Sequence, residues 1–167
     1  MYQPNDRVFY MGVGVCEIED IEQKTIVGET RDYYRLHSMD EQNRTVMFLP
    51  VASAEKKLRP LLDSNRVELL LKEAKRTPLP WNENDRERQF QFRQILKNGD
   101  QLELLRLIIA LHQKQEEKQS IGKRLWTAEE GILKEGEHQL HLELSCTLQI
   151  ALEEVVPYIV ERLKTAN

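Results

Sequence analysis

The sequence predicts an α+β protein: a small, strongly bent β-sheet or barrel over residues 1–62, then an all-α domain of five helices over residues 63–167. Three observations predict it. Short runs rich in aromatic and β-branched residues crowd the first 50 positions. The hydrophobic period changes to helical spacing after Asp63. From there on, Pro78, Pro80, Gly99 and Gly122 fall where helices would stop.

Residues 7–10, Arg-Val-Phe-Tyr, read as a first strand. Gly12-Val13-Gly14 suits a tight turn, since glycine tolerates positive φ. Residues 15–21 alternate in part, with Cys16, Ile18 and Ile21 as candidate inward positions. Residues 25–27 form a further short run that meets a turn signal at Gly28-Glu29. Residues 33–36 and 45–49 are two more strands, joined by a polar hairpin loop over 38–44. Pro50 ends the last strong strand by removing a ladder donor.

Asp63 or Ser64 caps a first helix carrying Val67, Leu70, Leu71 and Ala74. Thr77-Pro78-Leu79-Pro80-Trp81 is a stiff corner, because each proline biases its predecessor away from helix. A second helix spans about 85–97 and is stopped by Asn98-Gly99. Asp100 with Glu103 is a variant capping box for a third helix with Leu102, Leu105, Ile109 and His112 in one stripe. Thr127 with Glu130 is a second capping box, opening a long fourth helix. The last helix holds Val156, Ile159, Val160 and Leu163, with Pro157 expected in its first turn, where its missing donor has no intrahelical role.

Composition narrows the function. The chain is 40% hydrophobic and 31% charged and has no apolar run long enough to cross a membrane. The N-terminus lacks the basic start and apolar stretch of a signal peptide, and the two cysteines, Cys16 and Cys146, read as reduced, packed thiols of a cytoplasmic protein. The net charge of −4 hides a gradient. Residues 63–124 hold 13 bases against 10 acids, while residues 125–167 hold 3 against 8, so a phosphate-facing surface belongs to the middle segment. No enzyme constellation stands out, and neither does a cofactor site. Gly12-Val13-Gly14 lacks the lysine and hydroxyl of a phosphate loop and the third glycine of a dinucleotide loop. His138 and His141, with Glu135 and Cys146, fall short of a converging metal set.

The order of motifs carries more than any one of them. Val8-Phe9-Tyr10, Gly12-Val13-Gly14, Ile18-Glu19-Asp20-Ile21, Thr25-Ile26, Tyr33-Tyr34 and Val46-Met47-Phe48-Leu49-Pro50 follow one another. Trp81, the run from Phe92 to Asp100, and Glu153-Glu154-Val155-Val156 come after. This series resembles the CarD/CdnL family of bacterial transcription regulators, whose first domain is shared with the transcription-repair coupling factor.

The resemblance implies a Tudor-like β domain that adds an edge strand to the RNA polymerase β subunit. It also implies a helical domain that makes weak, largely sequence-independent contact with promoter DNA at the upstream edge of the melted region. Matching positions for polymerase contact are Lys24, Thr25 and Phe48, the last standing where some relatives have arginine. Trp81 matches a tryptophan that wedges at the fork, with Arg86, Arg88 and Lys114 as phosphate contacts. Read from the residues alone, Lys24 and Thr25 are ordinary hairpin residues, a reading that the resemblance brings level with polymerase contact, and Trp81 is equally an anchor between the domains. Trp126, beside the Thr127 cap, reads as packing against the helix that follows. The alternative function is a protein–protein adaptor on RNA polymerase with no direct DNA contact, which the acidic C-terminal segment favours.

Overall fold

The computed structural model describes residues 1–98 and 100–165. The chain divides into two compact units, Met1–Leu61 and a second from Leu62 onward.

The first unit is a five-stranded antiparallel sheet, in agreement with the expected bent β domain of Tudor-like type. Its strands are β1 (Arg7–Tyr10), β2 (Gly14–Ile26), β3 (Glu29–Ser38), β4 (Val46–Pro50) and β5 (Leu58–Pro60). They are ordered β4-β3-β2-β1-β5, so β4 and β5 are both edges and the sheet stays open. The two runs expected at 15–21 and 25–27 are one strand. Their partial alternation has a cause: the β2–β3 register shifts between Ile18 and Asp20. A bulge inserts one extra residue and flips the side-chain parity beyond it. Before the bulge, the even positions Cys16 and Ile18 are buried with Val8, Tyr34, Leu36 and Leu49. After it, the odd Ile21 pairs with Tyr34 and packs on that core.

The β2–β3 turn is Val27-Gly28, at φ 50° and 78°. Both central residues are left-handed, as a tight two-residue hairpin requires, and only the glycine adopts this freely. A 3-10 turn (Val51–Ser53), a short helix α1 (Ala54–Lys57) and β5 complete the unit. These pieces, three or four residues long, leave no periodic signal in the sequence.

The second unit has the five expected helices: α2 (Ser64–Arg76), α3 (Asp85–Asn98), α4 (Gln101–Ser120), α5 (Thr127–Leu148) and α6 (Leu152–Thr165). With α1, the described residues hold six in all. Leu62 belongs here. Its N–H donates to Glu143 Oε1 at 3.1 Å and its carbonyl accepts from Thr147 Oγ1 at 2.7 Å. The core is built from Leu70, Leu71, Phe92, Leu107, Leu111, Leu140 and their neighbours. At Gly136 an added Cβ would come within 3.3 Å of Leu104, so glycine sets the close approach of α5 to α4.

Two caps form as expected. Asp63 accepts from Arg66 N at 2.7 Å, and Asp100 accepts from Glu103 N at 2.9 Å. The Thr127–Glu130 capping box does not form. Trp126 is the cap residue of α5 and makes no side-chain cap bond, which puts Thr127 already inside the helix. Pro157 is a second departure. The helix starts at Leu152, so the proline lies in its interior and one backbone hydrogen bond is forfeited. Burial of Val155 on the N-terminal side offsets that loss by extending the helix past the proline. The helix stop expected at Gly99 lies outside the described residues.

Candidate functional site

Each unit holds a candidate surface. In the β unit it is the edge made by β4. Only β3 pairs with β4, through Tyr33–Pro50 to His37–Val46, so the outer backbone groups of β4 have no ladder partner in the sheet. Phe48 stands on this edge with 44% of its surface exposed, while the next residue, Leu49, is buried. Lys24 reaches it from β2. Its Nζ lies 3.7 Å from the centre of the Phe48 ring, a cation–π contact, and 3.9 Å from Glu22 Oε2.

The bulge makes this meeting. Beyond it the even residues of β2 share a face with the odd residues of β3, so Glu22, Lys24 and Arg35 line up beside Phe48. Arg35 donates to Glu22 Oε1 at 2.6 Å and pairs with Glu19 at 2.7 Å. Thr25 goes to the opposite face, where its hydroxyl lies 2.8 Å from that of Thr30. Lys24 and Phe48 are therefore one site, and Thr25 is apart from it.

In the helical unit the focus is Trp81, held by the proline corner between α2 and α3. It is half-buried and packs edge to face on Phe92, ring centres 5.7 Å apart. The Arg88 guanidinium lies 4.6 Å from the Trp81 ring and 5.6 Å from Trp126. Lys114 Nζ lies 5.0 Å from Trp81, and Lys118 Nζ 5.7 Å from Trp126. Two indoles and three cations thus form one cluster from the proline corner, α3, α4 and the cap of α5.

Arg88 corrects an expectation. Read as a phosphate contact, it is 4% exposed. It donates to Glu129 Oε1 from Nε at 2.9 Å and from Nη2 at 2.7 Å, to Asp85 at 2.8 Å, and to the Asn82 carbonyl at 2.8 Å. Burial works against its charge, but the bonds to Glu129 and Asp85 outweigh that and hold its pKa above the usual arginine value. A guanidinium so engaged is not offered to a phosphate.

Arg86 is exposed, two positions before Arg88 and so on another side of α3. Lys114 is partly covered and lies 3.5 Å from Glu117. Trp126 was missed by sequence reasoning. It is 49% exposed, and the loop before it exposes Lys123 and Arg124 while burying Leu125. The signal was there in the run Lys118 to Trp126, where bases alternate with an aromatic, but the capping box drew the indole into a packing role.

Among the described residues no helix is long and apolar enough to cross a membrane, and no group of three or more His, Cys, Asp and Glu is placed to hold a metal ion.

Residues 2–62 match the family model of the CarD-like/TRCF RID domain. The β unit is similar to the RID domain over nearly its whole length. No curated protein matches the chain. The match supports an interaction of the β unit with RNA polymerase, as in CarD-like proteins. The match takes in β1 to β5 and ends at Leu62, where the helical unit begins. Lys24, Thr25 and Phe48 all lie inside the matched residues; Trp81, Arg86, Arg88 and Lys114 lie beyond them.

Proposed function

We propose that the chain is a cytoplasmic, non-enzymatic transcription regulator that docks on the β subunit of RNA polymerase through the β4 edge and steadies the open promoter complex through the helical unit. The similarity to the RID domain carries the polymerase half of this reading. An exposed strand edge is a natural site for pairing with another sheet, and Lys24 over Phe48 places a charge and an apolar ring beside it. The cation–indole cluster supports the DNA half. Lys114, Lys118 and Arg86 suit phosphate, and an exposed indole suits a splayed base, a contact worth about 1–3 kcal/mol in comparable single-strand complexes.

The adaptor reading keeps one observation in its favour. Arg88, the guanidinium of the cluster, is neutralised by Glu129 and Asp85. Binding of the full chain to forked promoter DNA, titrated against salt, separates the two. A regulator that touches DNA binds the fork with an affinity that falls as salt rises. An adaptor shows no fork binding at low salt and still captures polymerase.

A further inference from the structure

Helix α6 is amphipathic on both sides. Its inner face packs on the helical core through Val155, Tyr158, Ile159 and Leu163. One flank is fastened to α2: Tyr158 donates to Glu68 Oε1 at 2.9 Å, Arg162 lies 3.3 Å from the same oxygen, and Lys75 donates to the Leu163 carbonyl at 2.7 Å. The other flank bears Leu152, Val156 and Val160, each 46% exposed. They recur every fourth residue and so form one line on the helix. Beside that line runs an apolar groove of about 370 Å³ between α6 and α4, bounded by Val156, Val160, Ile159 and Leu163 on one side and by Ile109 and His112 on the other. A stripe of branched side chains next to a groove of matching character is a ridge with its own receptacle.

We propose that α6 pairs with α6 of a second copy of this chain, antiparallel and about a two-fold axis near Tyr158. The sequence of the helix is self-complementary in that arrangement and in no parallel one. About an axis at Tyr158, Val156 falls opposite Val160 of the second copy, and Leu152 and Glu153 fall opposite Lys164 and Leu163, so that Glu153 lies one residue away from Lys164 of the second copy. These two charges are about three turns apart and both exposed, on the outer side of the stripe. An antiparallel pair places the acidic start of each helix against the basic end of the other, and the helix dipoles agree with it. A parallel pair sets Glu153 against Glu153 and Lys164 against Lys164. The symmetry is isologous, the commonest for soluble homo-oligomers, and each copy's ridge enters the other's groove. The contact is one helix wide, at the small end of specific interfaces, so it is a weak dimer with a dissociation constant on the order of 10–100 µM.

The test is sedimentation equilibrium of the full chain up to ~500 µM, where a dissociation constant in that range leaves mostly dimer. The mass should rise from 19.7 kDa toward twice that value. Val156→Glu sets a carboxylate against Val160 of the second copy and should raise the dissociation constant at least ~10-fold. Val160→Ser serves as a milder variant, and circular dichroism checks that each variant is folded. Glu153→Lys and Lys164→Glu should each weaken the dimer, and the double variant should restore it. Phe48→Glu, on the β unit, should leave it unchanged, so the outcome is independent of polymerase docking. A chain monomeric throughout that range overturns the proposal. So does a dimer indifferent to Val156→Glu and Val160→Ser, or one that Phe48→Glu abolishes. A stripe that captures polymerase or another protein in place of a second copy overturns it equally.

Discussion

Arg88 and Glu129 are joined by two donors on one oxygen: Nε and Nη2 of the guanidinium reach Glu129 Oε1 at 2.9 and 2.7 Å, and Glu129 is fully buried. The pair ties α3 to the first turn of α5, with both indole rings near the cation, at 4.6 and 5.6 Å. A buried pair adds little against an apolar pair of the same shape, but losing one partner strands the other's charge. Glu129→Gln and Arg88→Met should each destabilise the helical unit by about 3–5 kcal/mol, and the double variant Arg88→Met with Glu129→Leu by clearly less than their sum. Urea unfolding followed by circular dichroism measures all three. Single variants within 1 kcal/mol of the parent chain would show that the pair does not hold α3 to α5.

The two tryptophans should part company. Trp81 leans on Phe92 and the core, so Trp81→Ala should cost about 2–4 kcal/mol of stability. Trp126 is half-exposed, and Trp126→Ala should cost less than about 1 kcal/mol. If the helical unit meets the promoter fork, Trp126→Ala should nonetheless shorten the lifetime of the open complex. Equal melting of the two variants, or an unchanged lifetime for Trp126→Ala, contradicts this division of roles.

The contrast shows what the sequence made legible. Strand β1 and the Asp63 and Asp100 caps could be read directly, because turn chemistry and local spacing dictate them. The five helices followed from hydrophobic period. Arg88 could not be read: its partner lies 41 positions away, and only the packing of α3 on α5 brings them together. A surface arginine and a buried one look the same in a sequence. Trp126 went astray for a related reason. Thr127 and Glu130 satisfy the capping pattern, yet the helix starts one residue earlier than that pattern needs.

Lys24 and Thr25 are neighbours in sequence on opposite faces of a ribbon. Lys24→Glu should both remove the cation over Phe48 and add repulsion from Glu22, weakening capture of the polymerase β subunit by about 10-fold, in the range of a lost cation–π contact plus a reversed charge. Thr25→Ala breaks only the hydroxyl contact with Thr30 and should leave capture within about two-fold, as an exposed cross-strand pair contributes little. Equal loss in both variants, read by pull-down, would mean that the hairpin as a whole is the contact and that the Lys24–Phe48 face is not special.

Acid should loosen the helical unit, and His141 should be a cause. Burial, with His112 on α4 and His138 on α5 adding repulsion, holds its imidazole below the ordinary histidine value of 6.5, while Glu137 pulls the other way. The folded chain therefore keeps His141 neutral at a pH where the unfolded chain has already bound a proton. By linkage, the unfolded state is favoured wherever it holds the extra proton. Above pH 6.5 the residue contributes no pH dependence. As pH falls below 6.5 stability is lost, until the lowered folded value is reached and the loss levels off. Urea midpoints of the full chain between pH 7.5 and about 5, above the usual carboxylate range, should fall with acidification. In His141→Gln, which cannot take the proton, that slope should shrink, and it should be kept in His138→Gln. A slope that survives His141→Gln intact removes His141 from the account.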